Sequence, residues 1–572
     1  MPIKVLASEV VSKIAAGEVI ERPASVVKEL IENSLDAGAS QITVETQGGG
    51  VKLIKVSDNG VGIASSELEL AFHRYATSKI SDLDDLEKIS SLGFRGEALA
   101  SIAAVAEVEI STQPRNEYGA SETVGNYMYL RKGEVVRKES RARPQGTTVT
   151  VHRLFRYFPA RLKFLKSANT ENSHIAHLIS QYALAFPEVK FTLILDKRPS
   201  LQTTGNGDLR EVVSKIYGTE LAQKMLKVEH KDGLVKVTGL TSPPSLIRSN
   251  RNYLSFFVNR RWVRSPLLTR ATEEAYRGLL MDGQHPIAII NVSLLPQELD
   301  VNIHPAKAQI KFCQEQAVFG SVKKAIEEAL DRAPARLLEL SDKQRTNSKA
   351  APFSMSSGQW ERPPMVTDNE PTFLVSQLPT MELPVLRVLG QLANTYVIAE
   401  GPDGLYLIDQ HAAHERILYD QILAQWSQKA IEVQGLLQPV TIEFSPREEE
   451  ILKASEELLT QFGFTVEPFG NRSYLIRTVP ALMARANIIE IITALVDSLA
   501  SKQSLNPWEE RVAQSLACHG AIRAGQQLSQ EEIRELIKQL ERTKQPRACP
   551  HGRPTMIHLT AHQLEKEFGR VS

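Results

Sequence analysis

The feature that most limits how this chain folds is a stretch with too little to bury. Residues 334–383, which read SDKQRTNSKAAPFSMSSGQWERPPMVTDNEPTFLVSQLP at their centre, are rich in Ser, Pro and polar residues and carry no sustained apolar period. A segment of that kind cannot offset the entropy of ordering it. It is expected to be a flexible tether between two halves. The 572 residues are too many for one core, and roughly two to four domains are expected. No repeat of solenoid type is visible.

The first half mixes helical and strand patterns without regular βαβ alternation, which predicts an α+β class. Gln41–Thr46 and Val51–Val56 alternate in polarity around Gly48-Gly49-Gly50, the pattern of a hairpin with a glycine loop. Strand-like runs follow at 191–196, 234–240, 253–259 and 286–294. Loop chemistry at Thr203-Thr204-Gly205-Asn206-Gly207 places a domain boundary near 205–215.

At about 100° per residue, a helix over 24–35 puts Val26, Val27, Leu30 and Ile31 on one apolar stripe. Glu29, Asn33 and Asp36 gather on a separate flank, while Lys28 and Glu32 point further out. Such a flank is either plain solvated surface or the wall of a pocket, and its neighbours in sequence favour the pocket. Asp58-Asn59-Gly60-Val61-Gly62 ends a strand with an acid and two glycines, which let a ligand approach the backbone. Arg74-Tyr75-Ala76-Thr77-Ser78-Lys79 follows, then Gly93-Phe94-Arg95-Gly96-Glu97-Ala98-Leu99, a Gly-x-x-Gly turn leading into an Ala/Leu-rich helix. The free N–H groups of such a helix start make a phosphate cradle. Gly146-Thr147, ahead of another strand, offers a further contact.

In this order and wording the blocks resemble the GHKL ATPase superfamily, and GEVIERPASVVKELIENSLDAG, YATSKI and GFRGEALASI look specifically like the mismatch-repair MutL family. The resemblance covers most of residues 1–333. It implies an α+β multidomain chain: a GHKL (Bergerat-type) ATPase sandwich over 1–215, a small, ribosomal-protein-like α/β transducer domain over 216–333, and the tether. An α/β C-terminal dimerisation and endonuclease domain over 384–572 completes it. It implies ATP and Mg²⁺ as cofactors, with Glu29 as the general base toward the attacking water and Asn33 as the Mg²⁺ ligand. Asp58 would accept a hydrogen bond from the adenine amino group, and Gly62, Thr77 and Thr147 would line the pocket. Lys79 with Gly93, Phe94, Arg95, Gly96, Glu97, Ala98 and Leu99 would form the lid over the triphosphate. Lys307, in Leu-Asp-Val-Asn-Ile-His-Pro-Ala-Lys at 299–307, resembles the family's second-domain lysine that reaches the γ-phosphate.

The second half opens with strand patterns at 395–400 and 404–409 and later shows one long helical pattern at 446–461. Between them, Asp409-Gln410-His411-Ala412-Ala413-His414-Glu415 places His411 and Glu415 four apart, on one helix face. Far downstream, Cys549-Pro550-His551-Gly552-Arg553-Pro554 places a thiol and an imidazole two apart, pointing the same way in an extended segment. Two such pairs supply a mixed Cys/His/Glu set that suits Zn²⁺ well and Mn²⁺ less well on the thiolate side. The wording is similar to the C-terminal domain of endonuclease-type MutL proteins, which implies metal-dependent nicking of one DNA strand by phosphodiester hydrolysis. The implied ligands are His411, Glu415, Cys518, Cys549 and His551, with Asp409 positioning metal or water, and with Zn²⁺, Mn²⁺ or both at the site. Asp420 stands where the family often has a second Glu. It lies about 140° around the helix from Glu415 and is expected not to be a ligand. His519 stands in place of Arg in the family's Ala-Cys-Arg block.

Lys+Arg and Asp+Glu are both 67, a formal net charge of +0, so any grip on double-stranded DNA is expected to be weak, non-specific and local. Two runs without an acid qualify, 152–166 and 248–264, although solvated surface explains such runs equally well. Gln434-Gly435-Leu436-Leu437-Gln438-Pro439 resembles a sliding-clamp-binding peptide; the competing reading is the lead-in to a strand with two core leucines. The 3 cysteines are unpaired in number and far apart, which argues for a reducing compartment. With no apolar run long enough for a membrane span and no signal core after Met1-Pro2-Ile3-Lys4, a cytoplasmic, bacterial, nucleoid-associated protein is expected. The family likeness further implies a homodimer and a MutS-type mismatch-recognition partner. The leading expectation is an ATP-gated nicking endonuclease. A nuclease-inactive matchmaker that recruits other repair factors is the alternative. A type II topoisomerase or chaperone shares the ATPase fold, but the C-terminal motifs fit neither.

Overall fold

The computed structural model describes residues 20–79, 91–93, 96–115, 124–233, 235–280, 284–300, 311–332, 385–484, 486–500, 508–522 and 525–567. The tether at 334–383 lies outside the described residues. Two compact units emerge, one drawn from Met1–Leu338, Val433–Pro480 and Ile492–Ser504, the other from Glu339–Glu432, Ala481–Ile491 and Leu505–Ser572.

In the first unit, α1 (Pro23–Asp36) begins with a proline at its first turn, where the missing N–H costs nothing. It ends at Ala37, after which Gly38 turns the chain with φ +69. The hairpin β1 (Gln41–Gln47) and β2 (Leu53–Asp58) follows as expected, Ile42 facing Asp58. Glycine is required at its tip, because a Cβ on Gly49 would lie 2.9 Å from the Ala168 backbone. The helix α2 (Ala98–Val105) leads into β3 (Glu107–Gln113), β4 (Gly125–Arg131), β5 (Glu134–Arg141) and β6 (Gly146–His152). A long helix, α3 (Ala168–Ala185), then feeds β7 (Lys190–Leu195) and β8 (Arg198–Gln202). These strands make one 8-stranded sheet, ordered β5-β4-β3-β6-β2-β1-β7-β8. The β1–β7 pair is parallel. Val26, Val27, Leu30 and Ile31 of α1 pack with Ile42, Val44, Ile54 and Val56 of the sheet and Ile175 and Ile179 of α3, each burial stabilising by roughly 1.5–3 kcal/mol.

A second sheet carries its own core. β9 (Leu226–Asp232), β10 (Val235–Thr241), β11 (Leu254–Val258), β12 (Arg261–Val263) and β13 (Ala288–Ser293) are ordered β12-β11-β13-β10-β9. Helices α4 (Pro266–Ala275) and α5 (Glu315–Asp331) cover it with Leu268, Ala271, Val322 and Ile326.

In the other unit, β14 (Arg387–Leu392), β15 (Tyr396–Gly401) and β16 (Gly404–Asp409) form an antiparallel meander, and β16 runs directly into α6 (Gln410–Ser427). Back in the first unit, β17 (Val433–Glu443) leads to α7 (Pro446–Ala454), which covers only the first part of the long helix predicted at 446–461. That pattern breaks at Ser455, and a short second helix, Glu456–Gln461, turns Leu459 and Phe462 into the interior. β18 (Thr465–Pro468) and β19 (Ser473–Pro480) complete the three-stranded sheet β17-β19-β18. Beyond α8 (Ile488–Ala500), the helices α9 (Trp508–Gly520) and α10 (Gln530–Glu541) precede β20 (Met556–Thr560), which pairs antiparallel with β16. Strand β14 escaped the sequence reading because its residues are mostly half-exposed and Gly390 interrupts the pattern at a bulge. No helix among the described residues is long and apolar enough to cross a membrane.

Candidate nucleotide pocket and metal centre

The pocket forms where α1, the end of β2 and the start of β6 meet. Asp58 closes β2 with a carboxylate that accepts hydrogen bonds from the Gly60 N–H (2.9 Å), the Thr147 N–H (3.2 Å) and Ser34 Oγ (3.0 Å). Burial pushes its pKa up, against those hydrogen bonds. Close backbone approach shapes the floor: a Cβ on Gly62 would meet Gln113 O at 2.2 Å, and one on Gly146 would meet Asp58 O at 2.1 Å. Thr147 Oγ1 lies 3.0 Å from Thr112 Oγ1. Gly96, with φ +64, stacks on the Ala76 backbone, and the Tyr75 N–H donates to Gly96 O at 3.1 Å. That contact joins the Ala76-Thr77-Ser78-Lys79 block to the turn before α2, where Glu97 precedes Ala98 and Leu99 in the first helical turn. Thr77 Oγ1 accepts from the Lys79 N–H (3.2 Å).

Lys79 reaches across to α1, its Nζ 2.9 Å from Asn33 Oδ1 and 2.6 Å from Asp36 Oδ2. A cation therefore already sits on Asn33, which fits that amide oxygen to a Mg²⁺-binding role. Glu29 lies one turn earlier, 3.3 Å from Lys28 Nζ, and Lys28 also reaches Glu32 at 3.3 Å. Glu32 does not point outward as predicted. It is buried and accepts from Tyr182 Oη at 2.7 Å, a partner on α3 that the helical wheel of α1 alone does not show. Phe94, Arg95 and Lys307 lie outside the described residues.

In the other unit, Asp409 caps α6: its Oδ1 accepts from the His411 N–H at 2.9 Å and the Ala412 N–H at 3.1 Å. His411 Nδ1 lies 2.8 Å from Ile522 O, and its Nε2 lies 3.2 Å from Glu415 Oε1. The carbonyl fixes the tautomer, because only Nδ1–H can donate to it. The Ile522 N–H in turn donates to His414 Nδ1 at 2.9 Å, and burial lowers the His414 pKa to about 4, so that ring is neutral. Cys549 and His551 do come together, but not in an extended segment. They sit in a tight turn closed by the Gly552 N–H to Cys549 O (2.9 Å) with Gly552 at φ +81, because the backbone pairs Cys549 N–H with Arg553 O (2.8 Å).

The donor atoms of Glu415, Cys549 and His551 all lie within 4.8 Å of one another. Burial raises the Glu415 pKa, but hydrogen bonds from His411 and His551 outweigh it and hold the carboxyl far below the usual carboxylate range. Cys518 adjoins the cluster. Burial, with Glu415 beside it, pushes its thiol up to about 12. A thiolate, an imidazole and a carboxylate at this separation match a zinc donor set. Arg416, unremarked in sequence, sews the parts together through Ala548 O (2.7 Å), Asp420 (3.1 Å) and Gln545 Oε1 (3.2 Å). Asp420 is thus committed to Arg416 and to the Lys544 N–H (2.9 Å), in keeping with its expected exclusion from the ligand set.

The two basic runs are only partly paired with acids. Arg153 and Arg156 pair with Glu107, Arg251 with Glu273 and Arg260 with Glu188, while Arg248 stacks over Tyr253. In β17, the register with β19 slips between Gly435 and Val440, so residues 436–439 bulge out and Leu437 is fully exposed rather than core.

Comparison with known proteins agrees with this layout. Residues 20–151 match the family described as "Histidine kinase-, DNA gyrase B-, and HSP90-like ATPase", residues 213–331 "DNA mismatch repair protein, C-terminal domain", and residues 389–528 "MutL C terminal dimerisation domain". The chain is 37% identical to the DNA mismatch repair protein MutL of Halothermothrix orenii, over 99% of each chain. It is 39% identical to those of Desulforudis audaxviator and Methanoculleus marisnigri, again over 99% of each. With a GHKL-type ATPase domain at one end, a dimerisation domain at the other and full-length likeness throughout, the chain belongs to the MutL family of DNA mismatch repair proteins.

Proposed function

We propose that this protein is an ATP-switched homodimer whose C-terminal cluster nicks one DNA strand during mismatch repair. The observation that carries the reading is the convergence of Glu415, Cys549 and His551, with Cys518 and His411 against them. A bound metal ion would supply Lewis acidity and an activated water. Glu415, Cys549 and His551 would hold a Zn²⁺ with Cys518 beside them, and a Mn²⁺-type ion would instead draw on the His411 imidazole and the Glu415 carboxylate. Asp409 orients the ligand helix through its cap.

In the N-terminal half, Asp58 would receive the adenine amino group while Gly62, Thr77 and Thr147 line the pocket. Asn33 would take Mg²⁺ as Lys79 turns to the phosphates with residues 93–99, and Glu29 would be freed from Lys28 to act on water. Lys307 would sense the γ-phosphate. The domain limits proposed are 1–215, 216–333 and 384–572, joined by the tether. The bulge at 436–439, with Leu437 exposed, supports a sliding clamp as partner through Gln434–Pro439. Clamp docking would offset the weak hold on DNA expected of a chain with balanced charge. A MutS-type sensor and a cytoplasmic setting complete the reading.

The matchmaker alternative is favoured by one observation, His519 in place of Arg after Cys518. Incubation with supercoiled plasmid, Mn²⁺ and ATP separates the two. Open circles from wild type but not from a Glu415→Ala/Cys549→Ala variant are expected. No nicking by wild type, even with a sliding clamp added, overturns the nuclease reading.

A further inference from the structure

Among the described residues, Arg261 of the second sheet spends its charge on backbone carbonyls beside the nucleotide pocket. It opens β12, after a two-residue hairpin turn in which Asn259 and Arg260 take φ +47 and +65. That turn is rigid. The Asn259 side chain accepts from the Leu294 N–H and donates to Leu294 O, both at 2.9 Å, and Arg260 pairs with Glu188.

From this fixed base, Arg261 Nη2 donates to Ser91 O (3.0 Å) and Leu92 O (3.2 Å). The opposite ends of the same two peptide units point to an acid: the Leu92 N–H donates to Asp36 Oδ1 (2.9 Å) and the Gly93 N–H to Asp36 Oδ2 (3.1 Å). Two successive peptide dipoles therefore lie between a guanidinium and a carboxylate, each carbonyl toward the cation and each N–H toward the anion. The alignment is favourable at both ends, and charge-assisted bonds of this kind are the stronger class. Asp36 Oδ2 also holds Lys79 Nζ at 2.6 Å, and Lys79 holds Asn33.

We propose that Arg261 is a positioning residue that acts through the 91–93 backbone and Asp36 on Lys79 and Asn33, and so makes the phosphate and Mg²⁺ end of the pocket answer to the second domain. This rests on the nucleotide-site reading above. Without the guanidinium, the two carbonyls lose their donor and the turn no longer presents both N–H groups to Asp36. Asp36 is then free to pull Lys79 more tightly, and Lys79 competes harder with Mg²⁺ and phosphate for its place at Asn33.

The test uses the full-length protein as wild type, Arg261→Gln, Arg261→Lys and Glu29→Ala. It reads ADP affinity with a fluorescent analogue, with and without Mg²⁺, alongside steady-state ATP hydrolysis and the melting temperature. Arg261→Gln is expected to weaken Mg²⁺-dependent binding and raise KM by about 10-fold, with kcat changed less. Mg²⁺-free binding and melting temperature should stay near wild type, and Arg261→Lys should recover most of the loss. Wild-type affinity in Arg261→Gln overturns the inference. So does an equal loss with and without Mg²⁺, or one that follows a lowered melting temperature. Glu29→Ala judges the site reading separately. If it hydrolyses ATP normally, that reading fails; if it binds without hydrolysis while Arg261→Gln matches wild type, only the Arg261 inference falls.

Discussion

The two candidate sites solve opposite problems. In the nucleotide pocket the polar groups are already satisfied by one another: Lys28 occupies Glu29, Lys79 occupies Asn33 and Asp36, and three donors occupy Asp58. A ligand there has to break contacts before it makes its own, and that is how a nucleotide shifts a population between states. In the metal centre three distant stretches of chain are clamped before any ligand arrives. Asp409 caps the helix, Ile522 grips two imidazoles, and Arg416 ties the helix to the Cys549 turn. Built-in exchange of partners makes a switch, and built-in convergence of donors makes a preorganised site.

The comparison breaks most sharply at Glu29. Glu29→Ala should lower ATP hydrolysis by about 10²–10⁴-fold, the usual worth of a general base, with nucleotide binding kept, as read by hydrolysis rate against equilibrium binding. A variant that hydrolyses at a tenth of the wild-type rate or better leaves Glu29 an ordinary partner of Lys28. Next comes Asp58→Ala, which strands the Gly60 and Thr147 N–H groups and Ser34. An unmade set of bonds costs about 1–3 kcal/mol, so ATP affinity should fall about 10–100-fold while Zn²⁺ uptake by the other unit stays unchanged.

The metal centre makes a prediction in pH. Its hydrogen bond to Glu415 raises the His411 pKa, so that contribution to stability is complete below the ordinary value of about 6.5 and lost as pH rises through the raised one. Glu415 is held low, so its contribution is complete above about 4.3 and lost as pH falls through the depressed value. With chelator present, the urea midpoint of the second unit should be highest near about pH 6.5: below it buried His414, lowered to about 4, costs stability as the unfolded imidazole takes a proton, and above it the His411 contribution is lost. A midpoint that climbs from there to pH 8 contradicts the ion pair. The smallest effect is expected for Asp409→Ala, about 1 kcal/mol for a lost helix cap, as a lower urea midpoint with the metal ligands intact. Loss of metal binding far beyond that would make Asp409 a ligand after all.

What was legible in the sequence was whatever depended on short periods. The stripe of α1, the hairpin around Gly48–Gly50 and the i, i+4 pair His411/Glu415 all formed where local spacing put them. What was not legible depended on partners remote in sequence. Glu32 is buried because Tyr182 meets it from α3, and the 446–461 pattern breaks because Leu459 and Phe462 have a core to fill. Cys549 and His551 converge through a backbone turn, although the same side-chain proximity was expected from extension. Glu107, Glu188 and Glu273, remote in sequence, likewise pair with arginines of the two basic runs, which local spacing does not show.

Hydrogen exchange on the full-length protein, with no ligand, with a non-hydrolysable ATP analogue and Mg²⁺, and with Zn²⁺ alone, tests the contrast most directly. Nucleotide is expected to change protection at residues 28–36, 75–79 and 91–99, while 409–422 and 547–555 are already protected and change little with Zn²⁺. Unchanged protection around the nucleotide pocket, together with a large gain at 409–422 and 547–555 on adding Zn²⁺, would show that the metal centre is the part that reorganises and would contradict that contrast.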